Sequence, residues 1–446
     1  MSKKRSPTYL ESLGHLETDI IISKLNPSDV ASVACVNTHL KSLAYDDSIW
    51  SSFCKQQLNL SSPIDPQGNL CPSFKAAYGA WREAYSMYPW PLVRRVNNVW
   101  GRIRSWLTDN FSAVLPTLRK GASEDDLNQL EESLNVKLPL PTRVLYRFCD
   151  GQELSNDESM GRVWRNLCGL LGGYFFRDHT VNVFLLPLNN VIQGNKNVKW
   201  VHNSRRRYII VASSLVSHKK FFFLDCEKGQ LLVGTKNSVS LMPCVSNGLI
   251  TTEQDSESGS KQDGMLLWLE EYVRRLEMGF IRPRQEGNIR SISLFPEEPS
   301  LCSVATTSVG QSSSCALFLP DLSELKKETE KYVFAYKIRF SLKPERYVDY
   351  GRFSNSGVLI QLHLIIKSNE NVVGEINEQA MIDNLIIHAD DGVEFVCLGR
   401  MSCPTLPGSV EGSLTFIPTR MGGVRGNPIM IEVAKFPLLL PADYIF

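Results

Sequence analysis

The hydrophobic period changes along this chain, and that change limits the fold more than any other feature. Through about residue 150 apolar side chains recur mostly at helical spacing. Short β-branched and aromatic runs then take over, and beyond about residue 300 the chain reads as nearly all β. A chain of 446 residues that switches period in this way is too long for one core, and about 150 residues per domain predicts roughly three. The expected fold class is multidomain α+β. Composition excludes other classes: 43% apolar and 21% charged residues are ordinary for globular domains and argue against a mostly disordered chain. The 48 basic residues against 47 acidic leave a net charge of +1, so bulk charge does not drive nucleic-acid binding. No apolar run approaches the ~20 residues that cross a bilayer. Met1-Ser2-Lys3-Lys4-Arg5 leads into polar sequence and not into a signal core. Eleven cysteines without a Cys-x-x-Cys pair favour neither a disulfide framework nor zinc. The protein is expected to be soluble and intracellular, in cytoplasm and/or nucleus; Lys3-Lys4-Arg5 is too short to read as a nuclear signal.

In the first block, Ile20, Ile21, Lys24 and Leu25 fall at helical spacing. Asn26-Pro27-Ser28-Asp29 then reads as a helix start, with Asn26 as N-cap, Pro27 at the first position and Asp29 near the positive end. Val30, Val33, Ala34, Leu40 and Leu43 are expected to continue one face of that segment. Asp46-Asp47-Ser48-Ile49-Trp50 gives a turn and a further short helix carrying Trp50 and Phe53. A linker with Ser61, Ser62, Pro63, Pro66, Gly68 and Pro72 precedes a stretch rich in Trp and Tyr, from Phe74 to Trp106, which is expected to bury itself as a helical cap.

Ser123-Glu124-Asp125-Asp126 resembles a capping box before Leu127, Leu130 and Leu134; Leu138-Pro139-Leu140-Pro141 ends that helix, and Asp150-Gly151 ends the next. Strands are expected at Val181–Leu188, Tyr208–Ala212 and Phe221–Leu224. The last is joined through Asp225–Gly229 to Gln230–Val233 as a hairpin. Gln254–Ser260 reads as a mobile loop, and Leu266 to Leu276 as a closing amphipathic helix. Few core-forming residues occupy Arg282-Pro283-Arg284, Gly287 and Ser312-Ser313-Ser314, so a domain boundary is expected within 280–325. Strands follow around Phe334–Phe340, Val358–Ile366, Leu385–His388, Val393–Leu398, Ser413–Ile417 and Ile429–Val433, and favour a β-sandwich.

Residues 10–58 resemble an F-box, on Leu25-Asn26-Pro27-Ser28-Asp29-Val30, Ala34-Cys35-Val36 and Leu43-Ala44-Tyr45-Asp46-Asp47-Ser48-Ile49-Trp50. In that family the segment packs on the Skp adaptor of a cullin–RING ubiquitin ligase. The resemblance assigns adaptor binding to Leu16, Ile20, Leu25, Pro27, Val30, Val33 and Trp50. Leu16-Glu17 stands where the family has Leu-Pro. After the cap at 59–109, residues 110–285 are similar to SMI/KNR domains, on Ser123–Leu134, Leu138-Pro139, Asp150-Gly151, the Phe222-Phe223-Leu224-Asp225 hairpin and the closing helix. Residues 300–446 are similar to ApaG domains, fibronectin-like sandwiches, on Tyr336–Phe340, Cys403–Gly412 and Phe436-Pro437-Leu438. Many ApaG relatives carry a Gly-x-Gly-x-x-Gly loop, whereas Glu375 to Asp383 contain no glycine, and Glu375, Glu378 and Asp383 oppose phosphate. The order of the blocks resembles plant Skp-interacting F-box proteins with a C-terminal ApaG domain.

No catalytic constellation emerges from the residues. The seven histidines form no His-Glu-x-x-His pair, and no Walker-type glycine loop is present. Cys397 and Cys403 read as buried thiols, Gly422–Gly426 as a hairpin loop, and Arg205-Arg206-Arg207 as a solvated turn before a strand. The resemblance therefore implies a non-catalytic substrate-recognition subunit of an SCF-type E3 ubiquitin ligase, without cofactor or metal. Its partners would be the Skp adaptor, through it the cullin–RING ligase, and a protein target, with neither nucleic acid nor membrane. The alternatives are a non-degradative scaffold and a small-ligand or phosphate sensor built on the sandwich.

Overall fold

The computed structural model describes residues 15–154, 168–176, 179–196, 207–214, 220–235, 241–250, 263–286, 289–307, 310–325, 331–342, 356–379, 386–388, 395–420, 423–424 and 427–446. The chain divides into one unit ending at Gly101 and another running from Arg102 to Phe446.

Side-chain caps cut the first unit into short helices: α1 (His15–Ile22), α2 (Pro27–Val33), α3 (Thr38–Ala44), α4 (Asp47–Leu58), α5 (Phe74–Ala84) and the start of α6 (Trp90–Asn110). Asn26 accepts a hydrogen bond from the Asp29 N–H at 2.9 Å, and Pro27 occupies the first helical position as its fixed φ allows. The single segment expected across Val30–Leu43 is two helices, because Asn37 accepts from the Leu40 N–H at 2.8 Å and starts a new one. Asp46 caps α4 in the same way, and Ser73 caps α5. The aromatic-rich stretch is structural in its contacts. Trp81 donates to the Ile64 carbonyl and stacks on Tyr85, while Trp90 and Tyr78 both donate to Gln57.

The second unit takes the rest of α6, then α7 (Glu124–Leu134) and α8 (Leu140–Phe148), followed after the first strands by α9 (Leu188–Lys196) and α10 (Gly264–Glu277). Its strands β1 (Gly173–Phe176), β2 (His179–Leu185), β3 (Tyr208–Ser214), β4 (Phe221–Asp225), β5 (Leu231–Gly234), β6 (Met242–Pro243), β7 (Arg282–Glu286) and β8 (Ile289–Ser293) form one eight-stranded sheet. Their order is β6-β5-β4-β3-β2-β1-β8-β7. The Ser123 hydroxyl and the Asp126 carboxylate complete a capping box on α7. Asp150 pairs with Arg119 at 3.0 Å and accepts from the Leu188 N–H at 2.8 Å, so one carboxylate holds the end of α8 to the start of α9. That cap also stops β2 short of the Leu188 expected for it. Gly151 adopts φ +71, and a Cβ there would lie 2.6 Å from the Leu186 carbonyl carbon, so only glycine fits. The β4–β5 hairpin is present, with the Asp225 carboxylate accepting from the N–H groups of Glu227 and Lys228.

The remaining strands stack as two sheets. One has the order β15-β11-β10-β9, from β9 (Cys302–Thr306), β10 (Gly310–Phe318), β11 (Tyr332–Leu342) and β15 (Phe395–Cys403). The other contains β12 (Ser356–Ser368), β13 (Asn371–Gln379), β14 (Ile386–His388), β16 (Gly408–Arg420), β17 (Gly423–Val424) and β18 (Ile429–Leu438). Phe340 and Phe416 meet between the sheets with ring centroids 5.0 Å apart.

Two further expectations need correction. The stretch 280–325 is not a bare linker: β7 and β8 complete the eight-stranded sheet, and β9 and β10 belong to the sandwich. Ser312 and Ser314 are buried, and the Ser312 hydroxyl donates to the Glu432 carbonyl, so small polar residues serve a tight core position. Of Glu375 to Asp383, read as the counterpart of a phosphate loop, Glu375 to Gln379 belong to the edge strand β13, and Glu375 pairs with His363 of β12 at 2.8 Å. Asp383, the loop expected at Gln254–Ser260, and Arg205 and Arg206 lie outside the described residues.

Candidate adaptor-binding surface

Seven- and eight-residue helices are too short to persist alone, so α1 to α3 depend on a shared core, and α2 and α3 also on their caps. Ile22, Val30, Leu40, Leu43 and Ala44 point inward, and α4 closes that core with Trp50 and Phe53. The Trp50 indole donates to the Ala44 carbonyl at 2.8 Å, and its ring lies 5.7 Å from Phe53 and 5.4 Å from Tyr78. The indole thus holds the end of α3 to α4 through both an apolar face and a hydrogen bond.

Some apolar side chains of the same segment stay at the surface. Ile20 is 53% exposed, Ile21 38% and Val36 67%. Leu25, Pro27 and Val33 are half-buried beside the α1–α2 turn and along α2. The structure therefore splits the residues singled out from the sequence. Ile20, Leu25, Pro27 and Val33 are accessible in whole or in part, whereas Val30 and Trp50 are buried and act through the packing that sets the surface. Leu16 sits in α1, with its side chain outside the described residues. Ile21, Val36 and Tyr45 join the exposed apolar set, though the family resemblance does not assign them to the adaptor contact. Asn37 was the available signal for Val36, since a cap at that position puts the preceding residue into a turn.

Along α2 and α3 lies an open groove of about 480 Å³ lined by Ala31, Ala34, Cys35, Lys41, Tyr45 and Lys75. The Lys75 ammonium lies over the Tyr45 ring, 2.7 Å from its centroid, and Lys41 approaches the same ring at 5.6 Å. An apolar patch bordered by two cations suits a protein surface with aliphatic anchors and carboxylates. The nearby Cys54 is no nucleophile, since burial pushes its thiol up to about 11. Elsewhere, burial pushes the Cys149, Cys168, Cys226 and Cys397 thiols up to about 12. Cys397 and Cys403 are free and buried. Arg207 pairs with Asp225 and Glu227. Among the described residues, no group of three His, Cys, Asp or Glu side chains is placed to hold a metal ion, and no helix is long and apolar enough to cross a membrane.

The F-box-like family matches residues 20–56, the segment that builds this surface. Over 440 residues the chain is 44% identical to F-box protein SKIP16 of Arabidopsis thaliana, covering 98% of this chain and 100% of that relative. The chain belongs to the F-box protein family. A second likeness falls on a shorter stretch: KNR4/SMI1 homolog 1 of Debaryomyces hansenii is 32% identical over 69 residues, 16% of this chain and 15% of that relative. A crystallised ApaA protein of Bordetella pertussis aligns with a TM-score of 0.23 at 20% identity, covering 32% of this F-box protein and 97% of that chain.

Proposed function

We propose that this F-box protein is the substrate-recognition subunit of an SCF-type E3 ubiquitin ligase. Its α1–α3 surface docks on the Skp adaptor, and its second unit holds a protein target near the charged conjugating enzyme. The observation that carries this reading is the exposed apolar set of Ile20 and Ile21 on α1 and Val36 in the α2–α3 turn, beside a core of Val30, Leu40 and Leu43, within the segment matching the F-box-like family. Such a surface costs solubility unless a partner covers it. The contribution is proximity: tethering raises the effective concentration of target lysines at the thioester, and the receptor does no chemistry of its own. The cullin–RING ligase is reached through the adaptor, and the protein acts inside the cell.

Leu16, Ile20, Leu25, Pro27 and Val33 are assigned to the adaptor contact, with Val30 and Trp50 shaping it from beneath. Burying one aliphatic side chain of this size stabilises a complex by about 1.5–3 kcal/mol, so a charge at two such positions should abolish binding. The test is copurification of the Ile20→Asp, Leu25→Asp double variant with an Skp adaptor. Loss of adaptor with an unchanged circular dichroism spectrum supports the assignment, and wild-type recovery refutes it. The domain limits proposed with this function are 10–58, 59–109, 110–285 and 300–446.

A further inference from the structure

The chain after β18 does not stay with the sandwich. Asp443–Phe446 lies along Cys244–Ser246, the segment that follows β6 in the eight-stranded fold. Tyr444 bridges Val245 in antiparallel register; the Ser246 N–H donates to the Asp443 carbonyl, and the Ile445 N–H to the Cys244 carbonyl, both at 2.9 Å. Side-chain donors then take the next two carbonyls. The Trp268 indole of α10 donates to Ile445 O at 2.8 Å, and the Lys220 ammonium to Phe446 O at 3.1 Å. The Phe446 ring packs 4.9 Å from Trp268 and 6.1 Å from Tyr272, with the Arg275 guanidinium over it at 4.5 Å.

Lys220 makes this more than a contact between folds. Its side chain is fully buried, and its ammonium lies 3.8 Å from the carboxylate of Asp321, which also accepts the Tyr174 hydroxyl at 2.9 Å. An ammonium is kept out of water only where acceptors surround it, and Phe446 O is one of them. The cleft thus joins the elements of peptide recognition: a backbone edge that pairs with any extended chain, an aromatic slot that selects one side chain, and a fixed cation that takes a carbonyl. Leu439, Leu440, Ala442 and Asp443 are exposed, so the segment after β18 can leave the cleft without unzipping that strand.

We propose that the cleft between Cys244–Ser246, Lys220 and the Trp268–Arg275 face of α10 is a peptide-binding site. The chain fills it in cis with Asp443–Phe446, and its ligand class is an extended segment in which an aliphatic residue precedes an aromatic one. A partner presenting that pattern competes with the resident segment. The site is independent of adaptor docking.

The test starts from the folded full chain with a specific protease site inserted between Leu440 and Pro441, cut after purification and freed of the released segment. The probe is a fluorescein-labelled synthetic peptide of residues 441–446, followed by anisotropy. The cut chain should bind it saturably and at least tenfold more tightly than the uncut chain. A peptide with Asp in place of Ile445 and Phe446 should not bind, and Lys220→Met in the cut chain should weaken binding at least tenfold. An uncut Ile445→Asp, Phe446→Asp chain, whose own segment no longer fits, should also take up the probe. Equal binding by cut and uncut chains, or a cut chain with unchanged circular dichroism that shows no saturable binding, would overturn the proposal. Loss of fold in both the cut and the doubly substituted chain would also overturn it, because the segment would then be core and not ligand.

Discussion

The closing helix α10 and the helices α1 to α3 contain similar apolar residues and use them in opposite ways. α10 turns Met265, Leu266, Leu267, Trp268, Leu269, Tyr272, Val273 and Leu276 into its own fold. The N-terminal helices bury one side and leave Ile20, Ile21 and Val36 in solvent. Length accounts for part of the contrast. Fourteen residues give α10 four turns against the sheet, whereas α2 and α3, at seven residues each, make barely two. A helix that short contributes little to a core, and its outer apolar residues become available to another molecule. Within one chain, α10 turns its large apolar side chains into the core, whereas α1 and the α2–α3 turn leave three of theirs exposed.

The strongest way to break this comparison is to place one charge on each side of it. Leu269→Asp should destabilise the second unit by about 4 kcal/mol or more, because an unpaired carboxylate would replace a fully buried side chain. Ile20→Asp should leave the stability of the first unit within about 0.5 kcal/mol yet weaken adaptor binding by about 2 kcal/mol. Urea denaturation and calorimetric titration read the two quantities. If Ile20→Asp unfolds the unit instead, the open face is part of a core.

Trp50→Ala sharpens the comparison from the inside. It removes a buried ring and the hydrogen bond to Ala44, and should cost about 3–5 kcal/mol, taking adaptor binding down with the fold. A variant that kept its melting temperature would show that α3 does not rely on α4.

Caps should matter less, and more for the shorter helix. Asn37→Ala should cost about 1 kcal/mol, and Ser123→Ala at the capping box of α7 about the same or less. The second effect should depend on pH. The Ser123 hydroxyl, with help from its backbone N–H, holds the Asp126 carboxyl below its ordinary value. A depressed folded pKa means that the stabilisation is complete above the unfolded value of about 4 and disappears as pH falls through the folded one. The gap between wild type and Ser123→Ala, read by denaturation, should therefore be wide at about pH 6 and narrow at about pH 3.

The smallest effect is expected at Glu17, in the first turn of α1, where a backbone N–H has no helical acceptor to lose. Glu17→Pro should change stability by no more than about 0.5 kcal/mol and leave adaptor affinity unchanged or raise it. A marked loss of affinity, read by the same calorimetric titration, would mean that this turn docks unlike the rest of the family.

Elements with a local chemical signature were legible before the structure. Asn26-Pro27, Ser123–Asp126, Asp150-Gly151 and the Asp225–Gly229 turn each act within a few residues of themselves, and each stands where the pattern puts it. The misses share a different cause. β7 carries Arg282, Pro283 and Arg284 and gains its place by pairing with β8, while β10 buries Ser312 and Ser314, in sequence that looks like linker, with the Glu432 carbonyl accepting from Ser312. β7 pairs with the adjacent β8, which is itself seated on β1, and β10 meets β18 far along the chain; residue type alone registers neither. The candidate surface divided the same way. Asn26-Pro27 is legible as a helix start, whereas exposure at Ile20 and Val36 is set by tertiary packing that no local pattern encodes.

The Asp443–Phe446 segment has a consequence for the order of biosynthesis. Trp268 and Tyr272 emerge from the ribosome roughly 180 residues before Phe446, which at about 5–20 residues per second is on the order of 10–35 s. During that interval α10 already faces its sheet, but its aromatic slot lacks the ring that later covers it, and Lys220 lacks one acceptor. The middle fold therefore lacks this cover until the chain after the sandwich strands has been made. A nascent chain stalled anywhere in the sandwich presents a sticky aromatic cleft, the kind of surface by which chaperones recognise unfinished protein.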